Sequence, residues 1–124
     1  MRIGVPREIK DGEARVGMTP DAVRALARKG HVLLVEEGAG RSVGFGDERY
    51  AAAGARLTPD PAEVFACELV VKVKELQADE FPRLRPGTIV AGYQQLASEP
   101  ALLDAVLARR ITCPAYEGVR TSEG

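Results

Sequence analysis

Short runs of β-branched and aliphatic residues recur along this chain with helix-start chemistry between them, and that alternation leaves few folds open. Arg2 to Val5, His31 to Val35, Ala55 to Leu57, Leu69 to Lys74, Thr88 to Tyr93 and Ile111 to Ala115 read as strands. Thr19-Pro20-Asp21 is an N-cap followed by proline in the first turn, with Val23, Leu26 and Ala27 at helical spacing. Lys29-Gly30 supplies a basic last turn and a glycine to end it. Asp47 caps a short helix through Ala53 that Gly54 stops, and Asp60-Pro61 opens another to about Cys67. Glu99-Pro100 starts a further helix with Leu102, Leu103, Val106 and Leu107 on one face. Strands alternating with helices imply a mostly parallel sheet with helices on both faces, a single Rossmann-like or flavodoxin-like α/β domain.

At 124 residues the chain is one domain, 1–124, large enough for one core. Seventeen basic residues against eighteen acidic ones, with alternating signs, imply no nucleic-acid surface. The apolar runs are broken by Lys or Glu well short of a membrane span, and Pro6 interrupts any secretory leader, so a cytoplasmic location follows. Cys67 and Cys113 are too few and too far apart for a metal motif and read as free thiols, and His31 is the single histidine, read as structural. No bound metal is expected. Val119 to Gly124 is a polar tail that ends in mid-loop, as in a chain cut short or one that expects a partner.

Two cations stand where an α/β sheet places its ligands, in the crevice beyond the carboxyl ends of the strands. Lys74 closes the run Leu69-Val70-Val71-Lys72-Val73-Lys74, in which alternation puts Lys72 and Lys74 on one face. It can serve as a point charge for an anion, or it can reach into solvent as an ordinary strand-end lysine. Arg15 lies in the loop after the first strand and can hold a carboxylate by two parallel hydrogen bonds, or pair at the surface with Glu13 or Glu8. Tyr93, Gln94 and Gln95 end the next strand on the same side, and an amide there can hydrogen-bond a substrate without exchanging protons. Gly38-Ala39-Gly40-Arg41-Ser42-Val43-Gly44 departs from a dinucleotide fingerprint, because its third glycine is one position late and the helix begins only near Asp47. No cofactor-binding residue is assigned to this chain.

Arg2 to Lys10, followed by Glu13-Ala14-Arg15-Val16 and Met18-Thr19-Pro20, closely resembles the start of the alanine dehydrogenase and pyridine nucleotide transhydrogenase family. Lys29-Gly30-His31-Val32, Glu37-Gly38-Ala39-Gly40 with Gly44-Phe45, Tyr50 to Ala55, Lys72-Val73-Lys74-Glu75 and Ala115-Tyr116-Glu117 extend the likeness over nearly the whole length. The resemblance implies the family's first domain, which in alanine dehydrogenases binds the pyruvate or alanine carboxylate and faces a separate Rossmann domain carrying the nicotinamide. It places the substrate-binding arginine on Arg15 and the substrate-binding lysine on Lys74. Gln95 stands where alanine dehydrogenases have a catalytic histidine, and Leu96-Ala97-Ser98 where transhydrogenases have Pro-Ala-Gln.

The leading expectation is a substrate domain, fragment or split subunit, of an alanine-dehydrogenase-like oxidoreductase. Arg15, Lys74, Tyr93 and Gln95 would bind a small keto or amino acid, with Lys74 and Gln95 at the reacting carbonyl. The nucleotide domain is absent, so NAD or NADP would come with a separate Rossmann chain or a longer parent. The family's returning segment is absent too, which predicts an unpaired sheet edge or an apolar patch and, with it, self-association. A standalone carboxylate-binding or regulatory module is the alternative. A third reading, a Schiff-base enzyme, would need the Lys74 amine activated by burial or by Lys72.

Overall fold

A computed structural model describes residues 1–92 and Thr112. Five strands, β1 (Arg2–Val5), β2 (Val32–Glu36), β3 (Arg56–Thr58), β4 (Leu69–Val71) and β5 (Ile89–Ala91), form one sheet in the order β3-β2-β1-β4-β5. Every pairing is parallel, with Ile3 opposite both Leu33 and Leu69, and Gly4 opposite both Leu34 and Val70. Thr112 bridges Ile89 in parallel beyond β5. The rest of the last expected strand, and the helix expected from Glu99-Pro100, lie outside the described residues.

The chain winds outward from β1 through β2 to β3, then crosses back to lay β4 and β5 on the other side of β1. That reversal sends the connections to opposite faces. Helices α1 (Pro20–Arg28) and α2 (Asp47–Ala52) cover one face, where Val23 and Tyr50 pack with Ile3, Val5, Leu33, Val35 and Val71. Helix α3 (Pro61–Phe65) and a 3-10 segment at Ala78–Arg83 cover the other. There Val64 packs on Leu34, and Phe65 joins Val70, Leu84 and Val90. The two-residue period of a strand sorts these side chains, since odd and even positions of β1 and β2 take opposite faces.

The helix starts follow local chemistry. The Thr19 hydroxyl accepts from Ala22 N at 3.2 Å and the Asp60 carboxylate from Ala62 N at 2.9 Å, each ahead of a proline in the first turn. Gly30 and Gly54 end α1 and α2 with φ of +92° and +104°. Asp47, expected as a cap, is instead the first helical residue of α2 behind Gly46, because its carboxylate is engaged with Gly38 N at 2.8 Å.

Strand β4 is shorter than its sequence run. Lys72 N still reaches Ala91 O at 2.9 Å, but the next two amides, Val73 N and Lys74 N, are taken by the Glu8 carboxylate at 3.0 and 3.1 Å. The ladder stops there. The alternation carries through Lys72, whose ammonium meets Glu80 on the face that Val70 fills, but the ladder ends before Lys74.

Gly4 lets α3 lie directly on the sheet, since a Cβ there would fall 2.3 Å from Val64 O. That oxygen belongs to a backbone pinned by its own hydrogen bonds, so it cannot move aside cheaply. Gly4→Ala is expected to cost about 3 kcal/mol of stability, the upper part of the usual range for overpacking a core. The check is the shift in urea midpoint at unchanged slope.

Candidate functional site

The reversal between β1 and β4 opens a crevice at their carboxyl ends, and the loops that leave those two strands build it. Pro6 ends β1 and the chain turns so that Glu8 points under the end of β4. Its carboxylate accepts from Lys72 Nζ at 3.1 Å as well as from the two amides of β4's continuation. Lys72 Nζ also reaches Glu80 at 3.1 Å. These three charges are 8%, 1% and 0% exposed for Glu8, Lys72 and Glu80, so each is tolerable only because the others neutralise and hydrogen-bond it. Burial pushes the Glu80 carboxyl up, against the pull of the Lys72 ammonium.

Gly17 brings the far end of the β1 loop onto the sheet, as a Cβ there would sit 2.3 Å from Val71 O. The Tyr50 hydroxyl donates to Met18 O at 2.8 Å and fastens the same end, and burial pushes that phenol up to about 12. Between these anchors a turn, Glu13 N to Lys10 O at 3.0 Å, presents Glu13 and Arg15 together. Arg15 donates to Glu13 through Nε at 3.0 Å and Nη2 at 2.8 Å, and its backbone N adds a third bond at 2.8 Å. The guanidinium hydrogen bonds hold the Glu13 carboxyl down at about 2, outweighing the opposing effect of burial, with further help from the Arg15 amide and the Arg15 and Lys74 charges.

Lys10, Glu13, Arg15 and Lys74 line one cleft of about 440 Å³. Lys10 is bound to the Glu75 carboxylate. Burial acts to raise that carboxyl, yet the Lys10 hydrogen bond and the nearby charges of Lys10 and Lys74 leave it lowered. The structure thus brings Arg15 and Lys74 to one cleft as the sequence suggested, and it also realises the surface pairing of Arg15 with Glu13. Glu8, the other partner considered for Arg15, is buried with Lys72 instead. Lys72 is in the core, and Tyr93 and Gln95 lie outside the described residues. A neighbouring cleft of about 430 Å³ beside Arg15 is lined by Val16, Val43, Phe45 and Val73, which makes this side of the crevice apolar.

The glycine-rich segment after β2 does not suit a dinucleotide. It passes into a three-residue 3-10 turn, Arg41–Val43, and Gly44 follows with φ of +85° before α2 begins. Gly38 N, the kind of amide a diphosphate would need, is already taken by the Asp47 carboxylate. Among the described residues, no group of three His, Cys, Asp or Glu side chains could hold a metal ion, and no helix is long and apolar enough to cross a membrane. Cys67 is buried, and that burial pushes its thiol up.

Sequence reasoning passed over Glu80 altogether, and it considered Glu8 and Glu13 only as surface partners of Arg15, missing the buried role of Glu8 under β4. One signal was available: a lysine within Val70-Val71-Lys72-Val73 must be compensated if the strand is central, which asks for carboxylates elsewhere in the chain.

The strand order and the ionic cleft over the β1/β4 reversal place the chain among doubly wound parallel α/β domains. The family model for the alanine dehydrogenase/PNT N-terminal domain matches residues 4–124. The chain belongs to that family. An alanine dehydrogenase of Bilophila wadsworthia (strain 3_1_6) is 45% identical over 124 residues, which is 100% of this chain and 33% of that protein. One from Bacillus subtilis (strain 168) is 46% identical over 124 residues, 100% of this chain and 32% of that protein. A solved L-alanine dehydrogenase superposes with a TM-score of 0.97 at 37% identity, covering 99% of this chain and 34% of that one. A transhydrogenase from Sinorhizobium meliloti does so at 0.90 and 25%, covering 99% and 37%. The chain spans about a third of the length of the curated relatives it matches.

Two outcomes are expected. Lys72→Ala leaves Glu8 and Glu80 buried without their cation and should cost about 3–5 kcal/mol in urea unfolding. Carboxyl NMR of Glu13 should give a midpoint of about 2, moving up toward the ordinary value in Arg15→Ala. Because the folded value is the lower one, the pair's contribution is in place above about pH 4.5 and is lost as pH falls through about 2.

Proposed function

We propose that the cleft over β1 and β4 binds the carboxylate of a small keto or amino acid, and that this chain is the substrate domain of an alanine-dehydrogenase-like oxidoreductase. The observation that carries the reading is the convergence of Arg15 and Lys74, from two different strand ends, on one cleft. An arginine offers five donors in a rigid fork, and Glu13 engages two of them while holding the plane of the group. A ligand carboxylate would meet this guanidinium, and the Lys74 ammonium would lie against the substrate's keto or imino end and polarise it. Tyr93 and Gln95, which follow β5 in the sequence, are proposed as further substrate-binding residues. The apolar side chains of Val16, Val43 and Phe45 beside the cleft suit a short aliphatic substituent.

The nicotinamide of such an enzyme is assigned to a further domain, in the same protein or in a partner chain, since the glycine-rich segment here is closed by Asp47. The family likeness of the whole chain to alanine dehydrogenases supports this division of labour. A second reading rests on Gln95. An amide cannot shuttle a proton near neutral pH, so the domain would bind carboxylates without the proton transfer that keto-acid reduction requires. The Schiff-base reading has less support, because Lys72, the cation it would enlist, is neutralised by Glu8 and Glu80.

Calorimetric titration with pyruvate and alanine tests the proposal. Binding is expected, and Arg15→Ala and Lys74→Ala should each weaken it by about tenfold or more, the usual worth of a charge-assisted hydrogen bond. Absence of binding, or binding indifferent to both substitutions, would refute it. Turnover of pyruvate with ammonia and reduced nicotinamide, assayed on the protein together with its nucleotide domain, separates the oxidoreductase from the binding module.

A further inference from the structure

We propose that Glu8 is a positioning residue for Lys74, setting where that ammonium stands in the cleft through the backbone that carries it. The inference rests on the carboxylate-binding reading above and adds a residue to it. Lys74 follows the last ladder bond of β4 by two positions, where a chain leaving a sheet would ordinarily be free to diverge. Here it is not free. The two oxygens of Glu8 divide between Val73 N at 3.0 Å and Lys74 N at 3.1 Å, so one rigid planar group fixes two successive peptide units.

Glu8 can do this only if it is itself held. It is buried, it remains bonded to Lys72 Nζ at 3.1 Å, and Lys72 is tied to Glu80, whose other oxygen accepts from Gln77 N at 2.9 Å. Gln77 N lies on the far side of Lys74 in the same segment. The segment 72–77 is therefore gripped from below at 73, 74 and 77 by carboxylates that share one buried ammonium. Arg15 hangs from the same loop as Glu8, so a single turn of chain sets both cations relative to each other. A displacement of about 1 Å in a group that binds a reacting centre is costly, and this device prevents it.

A double-mutant cycle in pyruvate titration tests the role. Glu8→Gln keeps the shape of the side chain but removes its charge and one of its two acceptors. It should weaken pyruvate binding about tenfold in the otherwise native protein and have no further effect in Lys74→Ala, because its influence passes through Lys74. An equal loss in both backgrounds would show a general structural contribution and overturn the inference, as would unchanged affinity in Glu8→Gln. If Glu8→Gln does not fold, Glu8→Asp takes its place in the same cycle. It retains the charge for Lys72 but is one methylene too short to span both amides, and it should also raise hydrogen exchange at Lys74 N. Pyruvate that binds and depends on Lys74 but not on residue 8 defeats this inference alone. Failure of the unaltered protein to bind any carboxylate defeats the binding reading, and this inference with it.

Discussion

One ammonium buried between two carboxylates governs the working end of this domain. Lys72 leaves the sheet at the point where β4 stops, and a cation at 1% exposure has no stable alternative to the company of Glu8 and Glu80. Desolvating three charges is expensive, and such a cluster seldom adds net stability compared with apolar residues of the same volume. Its value lies in specificity. It joins the loop after β1, the segment after β4 and the 3-10 turn at Ala78–Arg83 into one arrangement that slides in no direction without exposing a naked charge. Everything described in the cleft is suspended from those three pieces.

The rest of the architecture removes obstacles to that arrangement. Gly4 lets α3 approach the sheet, and Gly17 lets the first loop return to touch β4, each at a distance where a methyl group would meet a carbonyl oxygen. Neither glycine has the left-handed φ that often explains the residue. Their role is steric, and in both cases the atom in the way belongs to backbone. The two faces are filled by ordinary aliphatic and aromatic packing, which leaves the buried ionic cluster to the carboxyl edge.

The fold was largely legible because its signals are local. Thr19-Pro20-Asp21 and Asp60-Pro61 mark helix starts through bonds that span two or three residues, and the alternation in Ile3-Gly4-Val5 and Leu33-Leu34-Val35 sorts the core by face. Arg15 and Lys74 could be placed at the carboxyl edge of the sheet for the same reason, since a position at a strand end needs no knowledge of the partner strand. What escaped depends on distance along the chain. The end of β4 is decided by a carboxylate 65 residues away, and although Lys72 asks for a counter-charge, nothing near Val73 says which carboxylate answers or that it ends the ladder. Asp47 looks like a cap because its type and position suit one, yet Gly38, nine residues earlier, claims its oxygen. Glu13 was visible only as one of two partners for Arg15, and its choice follows from the turn that brings its carboxylate to both the side chain and the amide of Arg15.

The first loop is fastened at both ends, by Glu8 beneath β4 on one side and by Gly17 and Met18 against Val71 and Tyr50 on the other. What remains between the fastenings is a short bight whose tip carries Lys10, Glu13 and Arg15. Apart from Lys10, which neutralises the buried Glu75 carboxylate, the side chains of this tip can change with little consequence for the sheet. The domain therefore separates the scaffold that aims the arginine from the residues that tune it. Substitutions at Glu13 or Arg15 would change the charge of the cleft while leaving the moorings of the bight intact.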